Sequence, residues 1–139
     1  MKFGKFGDSY FIRLEKGEEI VSSLEKLCRQ EKIRLGEISG LGAASSVRIG
    51  LFDIDEKQFF ENHIEEPLEI ASITGNVSEM DGEVYLHIHA VAAGRDGKAI
   101  GGHLKEAVIS ATAEIFIRCL DGAVDRFFDP EIGLNLLSL

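Results

Sequence analysis

The pattern of apolar and polar positions predicts one amphipathic helix near the N-terminus, preceded by a strand at residues 10–14. Between Gly17 and Lys32 the apolar residues recur at i, i+3 and i+4 spacing and form a single stripe: Ile20, Val21, Leu24, Leu27 and Cys28. Glu18 and Glu19 fall in the first turn, where carboxylates favour the positive end of the helix dipole. We therefore expect the helix to run from about residue 18 to residue 30 or 32.

Downstream of this helix the pattern is mostly that of strands separated by glycine-containing turns. Short β-rich segments are expected at residues 46–52, 59–60, 68–77, 83–91, 113–119 and 124–128. Asp81-Gly82 is a typical hairpin turn, Asp121-Gly122 is expected to turn the chain again, and residues 104–107 are compatible with one helical turn. The fold class predicted is α+β, a single compact domain over residues 1–139 with its core at about 10–138. Its sheet should be mainly antiparallel and curved or barrel-like.

Composition sets the broad class of the protein. A chain of 139 residues is long enough to bury one core. No run of eighteen apolar residues is present, and the N-terminus lacks the apolar segment of a secretory signal. The two cysteines, Cys28 and Cys119, have no metal-motif spacing, so we expect buried or half-buried thiols in a reducing compartment. These features predict a cytoplasmic protein without a membrane span.

The charge is strongly asymmetric along the chain. The net charge is −9, and residues 53–83 contribute all of it, with ten acidic residues and one basic residue, Lys57. We expect most of these acids to lie on solvated faces, where they keep the protein soluble. An acidic chain lacks the cationic surface that supplies affinity for phosphates, so the charge disfavours nucleic-acid binding.

The histidines carry the clearest chemical signal. Three of the four lie within seventeen residues: His87, His89 and His103. On a strand, side chains two residues apart share a face and lie roughly 6.5–7 Å apart along the chain, so His87 and His89 can converge on one ion. Gly101-Gly102 permits a sharp turn or a close backbone approach, and we expect it to bring His103 back to the pair. Three imidazoles suit zinc with one coordination position left open.

Other residues leave alternatives open. The fourth zinc ligand is expected to be water, with Glu69 as the best carboxylate candidate, either as ligand or as partner to an imidazole N–H; Glu69 is equally compatible with an ordinary outward-facing strand position. His63 is expected to be a solvated loop residue. The same histidine set would also accept Ni²⁺, Co²⁺ or Cu²⁺. Gly40, Gly42 and Gly50 do not match a phosphate-binding loop and predict turns or close strand packing.

Several short motifs occur in the order found in PPC domains, the plants and prokaryotes conserved domains. They are Gly40-Leu-Gly42, Arg48-Ile-Gly50, Leu68-Glu69-Ile70, His87-Ile-His89 and Gly101-Gly102-His103-Leu104. The chain resembles the prokaryotic stand-alone members of this family from about Tyr10 through Arg126 and Gly133-Leu134. The resemblance implies a compact antiparallel domain that assembles into a homotrimer and keeps the histidines as a metal site. It also implies the DNA-binding role with which prokaryotic members are often described.

The plant branch of the family differs from this chain at two points. The Gly-Arg-Phe-Glu-Ile-Leu stretch that serves protein contacts in plants is replaced here by residues 66–71, and no AT-hook is present. Three hypotheses follow from the sequence: a homotrimeric zinc-binding protein with room for a small-molecule ligand, a DNA-binding regulator, and a zinc-dependent hydrolase or lyase. Whether the protein is an enzyme is left open.

Overall fold

The computed structural model describes all 139 residues and contains one helix and nine strands. In chain order the elements are β1 (Lys2–Phe6), β2 (Ser9–Glu15), α1 (Ile20–Glu31), β3 (Gly36–Asp53), β4 (Gln58–Ile64), β5 (Leu68–Met80), β6 (Glu83–Ala93), β7 (Ala99–Cys119), β8 (Arg126–Asp129) and β9 (Leu134–Leu137). The predicted α+β class, with one helix and a curved antiparallel sheet, is confirmed.

Helix α1 begins and ends close to the predicted positions, because both ends are set by local chemistry. Glu19 caps the N-terminus, and its carboxylate accepts hydrogen bonds from the backbone N–H groups of Val21 and Ser22. Lys32 ends the helix in the left-handed conformation, at φ 57°. The apolar stripe packs against β6 and β7, and its Cys28 is fully buried. Burial raises the pKa of the Cys28 thiol to about 12, so this cysteine is inert at neutral pH.

The sheet curves into a ring-like arrangement without closing into a barrel. Strands β3, β5, β6 and β7 pair in succession, and β7 also pairs back onto β3. Strands β1 and β2 extend the sheet from β7, β4 extends it from β3, and all pairs are antiparallel. The β8–β9 hairpin is separate and contacts β5. Alternate residues of the ring strands point inward and form, with α1, one apolar core.

Strand β7 corrects two of the sequence predictions. Residues 104–107 form no helical turn but lie within this 21-residue strand. A register shift opposite Arg48 and Ile49 leaves Lys105 as an extra residue, so Leu104 and Ala107 are both buried although they are three apart. That spacing imitates a helix. Gly101-Gly102 is also part of the strand and not a turn.

The two ends of the chain differ from expectation as well. The N-terminal strand β1, absent from the sequence prediction, pairs with β2. The last strand is four residues long rather than five, and a second short strand, β9, follows it. The Asp81-Gly82 turn between β5 and β6 is confirmed, with φ values of 55° and 82°. Close strand packing is confirmed at Gly50, where an added Cβ would clash with the carbonyl oxygen of Phe60.

The surface agrees with the predicted distribution of charge. Eight of the ten acidic residues between positions 53 and 83 are exposed, and only Asp53 and Glu79 are half-buried. Glu79 forms an ion pair with Arg34, whose guanidinium lowers the pKa of that carboxyl. No helix combines the length and the apolar character needed to cross a bilayer.

Candidate metal centre

The three clustered histidines lie on the face of the sheet opposite to the core. In β6, Ile88 and Ala90 are buried, whereas His87 and His89 alternate with them and point to the other face. The paired residues of β5, Asn76 opposite His87 and Thr74 opposite His89, share this outer face. The strand period predicted from sequence is therefore the feature that positions the first two imidazoles.

The β6–β7 hairpin brings the third histidine to the pair. Its turn is closed by a hydrogen bond from the Gly94 N–H to the Lys98 carbonyl, and the resulting register places His103 directly opposite His89. Gly102 acts by close approach instead of turning. Gly102 has φ 153°, and an added Cβ there would clash with the backbone of Gly50 on β3. Only glycine allows β3 and β7 to approach this closely. The next residue, His103, pairs with Gly50 on β3 and with His89 on β6.

The geometry of the cluster matches a tetrahedral metal. The nitrogen ligand atoms of His87, His89 and His103 all lie within 4.8 Å of one another. The Nε2 atoms of His87 and His89 are 3.2 Å apart. Two imidazoles bound to zinc at 2.0–2.1 Å with tetrahedral angles would hold their nitrogens about 3.3–3.4 Å apart. The first pair thus already has the required spacing, and the third ring needs a shift of about 1 Å or slightly more to reach it.

The protonation state of the cluster favours ligation. Burial, with smaller contributions from Lys105, His87 and His89, lowers the pKa of His103 to about 4. Burial also lowers the pKa of His87, and the positive charges of His89 and Arg126 act in the same direction. Both imidazoles are therefore neutral at pH 7, which is the form that binds a metal.

The carboxylate named from the sequence does not lie at this cluster. Glu69 is exposed and pairs with Ala93, four residues beyond His89 on β6. The carboxylate in the same neighbourhood is Glu37, which pairs with Asn76 and lines a small cleft of about 370 Å³ with His87 and His89. Sequence reasoning missed Glu37 because only the β3–β5–β6 register puts it in this row. Its carboxylate is 2.7 Å from Nη2 of Arg118.

The fourth histidine lies outside the cluster. His63 is exposed, as expected, but it is part of strand β4 and not of a loop. It pairs with Arg48, and its Nε2 is 3.1 Å from Oγ of Ser46. This histidine therefore serves as a natural internal control for the clustered three.

A larger cleft of about 840 Å³ opens directly on the histidines. Its walls come from β3, β4, β6, β7 and the β8–β9 hairpin, with apolar side chains such as Leu134 and Phe59 beside the polar ones. Arg126 is a functional candidate that the sequence analysis did not single out. Only the fold of the C-terminal hairpin over β5 places its guanidinium beside Asn76 and hence near His87.

Known proteins resemble the chain over almost its whole length. A putative DNA-binding protein from Bacteroides thetaiotaomicron has 30% sequence identity and a TM-score of 0.96, covering 99% of this chain and 96% of that one. A metal-containing protein from Archaeoglobus fulgidus has 37% identity and a TM-score of 0.89, with complete coverage of both chains. Among curated proteins, the bifunctional protein GlmU of Synechococcus is 32% identical over 127 residues.

The GlmU similarity concerns one part of a longer protein, because the match spans 89% of this chain but only 19% of GlmU. The sequence model of the Plants and Prokaryotes Conserved (PCC) domain, the family that the motif order resembles, matches residues 1–121. That match includes every residue of the histidine cluster and every strand of the main sheet. The chain belongs to the Plants and Prokaryotes Conserved domain family.

Proposed function

We propose that the chain binds a divalent transition metal, zinc in the first place, through His87, His89 and His103. The observation that carries this proposal is the convergence of three imidazoles whose ligand nitrogens all lie within 4.8 Å of one another. Three nitrogen donors without a thiolate fit zinc well, and one coordination position is left for water or an exogenous ligand. The metal-containing relative from Archaeoglobus, at 37% identity, supports the same assignment.

All three histidines line the larger cleft, which has room for a small molecule beside the metal position. The residues lining that cleft include no aspartate or glutamate. A zinc-dependent hydrolase or lyase needs a group that accepts a proton from the attacking water, and a carboxylate commonly supplies it. The proposal is therefore metal-dependent ligand binding rather than hydrolysis. A screen of zinc-loaded protein that gave turnover absent from the His89→Ala variant would reverse this choice.

The metal proposal is tested by zinc titration of metal-free protein. His89→Ala removes one of the three proposed ligands and should lower the zinc affinity by at least about 100-fold, since even partners outside the ligand shell are worth 10–100-fold. His63→Ala is the matched control, because it removes an exposed histidine outside the cluster. Equal zinc affinity for the two variants would refute the site.

We also propose that the chain forms a homotrimer, as the family resemblance implies. Phe11 and Phe116 stack face to face on neighbouring strands with ring centroids 4.2 Å apart, yet both are more than a third exposed. Leu41 lies beside them on β3 and is 52% exposed. Such an apolar patch is typical of a subunit contact. Light scattering should give three times the chain mass of 15.3 kDa, and a monomer mass would contradict the proposal.

DNA binding is the second candidate function, because the Bacteroides relative is a putative DNA-binding protein. The charges do not favour it in this chain. Seven of the fifteen lysines and arginines are in ion pairs with carboxylates: Lys2, Arg13, Arg29, Arg34, Arg48, Lys98 and Arg118. Those bases have less positive charge to offer phosphates. We expect no gel shift with duplex DNA at low salt, and a salt-sensitive shift would establish this function instead.

A further inference from the structure

Arg126 is a buried cation without an acidic partner. Its side chain is only 8% exposed, and no carboxylate lies within ion-pair distance of it. Its guanidinium donates to Ser78 Oγ at 2.8 Å, to the Asn135 carbonyl at 2.8 Å and to Asn76 Oδ1 at 3.0 Å. All three acceptors are neutral. A buried charge is normally compensated by an opposite charge. This guanidinium has neutral hydrogen-bond acceptors but no anionic partner within the chain.

The guanidinium still has donors to offer. An arginine carries five N–H groups, and three of them are used here, which leaves one on each terminal nitrogen. The ring of Tyr85 lies under the cation at 4.6 Å and fixes its plane. Arg126 lines the large cleft that also contains the three histidines. The guanidinium therefore borders the same cleft as the metal position.

A second cation lines the same cleft. Lys105 follows His103 by two residues on β7, and its Nζ lies 4.8 Å from the ring centroid of Phe59. Phe59 in turn packs edge-on against His103, at 5.9 Å. In a chain of net charge −9, this cleft contains Arg126, Lys105 and the histidine site and no acidic side chain. Its local charge is thus opposite to that of the protein.

We propose that the cleft binds a small organic carboxylate, with its carboxylate held by Arg126 and Lys105 and a second oxygen directed to the metal position. This inference rests on the proposed metal site for the second contact. The planar guanidinium matches a carboxylate, and the leucines of β9 provide an apolar wall for the carbon part of the ligand. A phosphate group fits less well, because it commonly uses a helix N-terminus and α1 contributes no residue to the cleft.

The test is isothermal titration of zinc-loaded protein with 2-hydroxyisobutyrate, its neutral amide and inorganic phosphate. The acid has one carboxylate, one hydroxyl oxygen for the metal and two methyl groups. We expect the acid to bind and the amide to bind about tenfold more weakly, because the charge-assisted hydrogen bonds are lost. Equal affinity for acid and amide, or tighter binding of phosphate, would overturn the assignment.

Variants locate the binding to the two cations. Lys105→Gln should lower the affinity for 2-hydroxyisobutyrate several-fold. Lys16→Gln, the same change at an exposed site outside the cleft, should leave that affinity unchanged. Arg126→Lys keeps the positive charge but removes the planar guanidinium with its paired N–H donors, and it should lower the affinity for the acid about tenfold. Because Arg126 also links the hairpin to β5, the melting temperature of the Arg126→Lys variant is measured as well. If that variant is unfolded, the result for Lys105→Gln alone decides the test. No effect of Lys105→Gln would count against the proposal.

The same titrations on metal-free protein separate this inference from the metal proposal. If zinc does not bind, the metal site is refuted. If the acid nevertheless binds and Lys105→Gln weakens that binding, the cleft binds carboxylates without a metal. If zinc binds but the acid does not, the metal site stands and the carboxylate inference is refuted.

Discussion

The two faces of strand β6 illustrate how one segment serves both stability and function. Ile88 and Ala90 point into the ring and are almost completely buried, whereas His87 and His89 point outward to the cleft. The inner face gains free energy from every apolar group removed from water. The outer face contains partly buried imidazoles and, nearby, a buried guanidinium, all of which cost desolvation. Folding alone therefore does not account for the polar groups on the outer face, which fits the binding role proposed for them.

The largest effect on stability should come from the inner face. Ile88→Ala removes a side chain that is 1% exposed and leaves a cavity in the core. We expect a loss of about 2–5 kcal/mol in the free energy of unfolding, measured by urea denaturation of metal-free protein. His87→Ala, one position away on the outer face, should change it by less than about 1 kcal/mol. A comparable loss in the free energy of unfolding for both variants would contradict the view that only the inner face of β6 contributes substantially to stability.

A smaller effect is expected where β7 meets β3. Gly102→Ala places a Cβ against the Gly50 backbone and should destabilise the protein by about 1–3 kcal/mol. It should also weaken zinc binding, because His103 moves with the strand. Gly101→Ala is the matched control, since its Cβ would lie 3.3 Å from its nearest neighbours, whereas the Cβ at Gly102 would lie 2.4 Å from the Gly50 carbonyl oxygen. Indistinguishable stability and zinc affinity for the two variants would show that the close approach at Gly102 does not position the site.

The last prediction is a pH dependence of stability to which His103, on the outer face, contributes. Burial depresses the pKa of His103 from 6.5 to about 4, so the unfolded chain binds this proton more readily than the folded chain. Stability of the metal-free protein should therefore fall as the pH is lowered from about 6.5 towards 4. His103→Gln should flatten this slope and His63→Gln should not, as measured by urea denaturation at several pH values. An unchanged slope in His103→Gln would contradict the assigned burial.

The features that could be predicted from sequence are those fixed by local chemistry. The apolar stripe of helix α1 lies within residues 20–28, and the period of two that directs His87 and His89 to one face is a property of any strand. The Asp81-Gly82 turn has a conformation that few other dipeptides adopt. In each of these cases the sequence contains all the interacting groups within about a dozen residues.

The features that were missed depend on pairing between distant segments. Glu69 was chosen because it lies on a neighbouring strand, but the β5–β6 register puts it at the far end from the cluster, and Glu37 takes the nearer place through β3. The bulge at Lys105 changes which residues of β7 face inward and so imitates a helical turn. Arg126 reaches the cleft only through the hairpin that folds onto β5. Strand register and β-bulges determine these positions, and neither can be predicted from the local period of apolar residues.

The most direct measurement is the metal content of protein purified without a metal-affinity tag, compared with the His87→Ala/His89→Ala double variant. Elemental analysis should find close to one zinc or other divalent transition metal per chain in the wild-type protein and almost none in the double variant. The variant should remain folded, because both substitutions lie on the outer face of β6. Metal-free wild-type protein that also fails to take up added zinc would contradict the account and reduce the three histidines to structural residues.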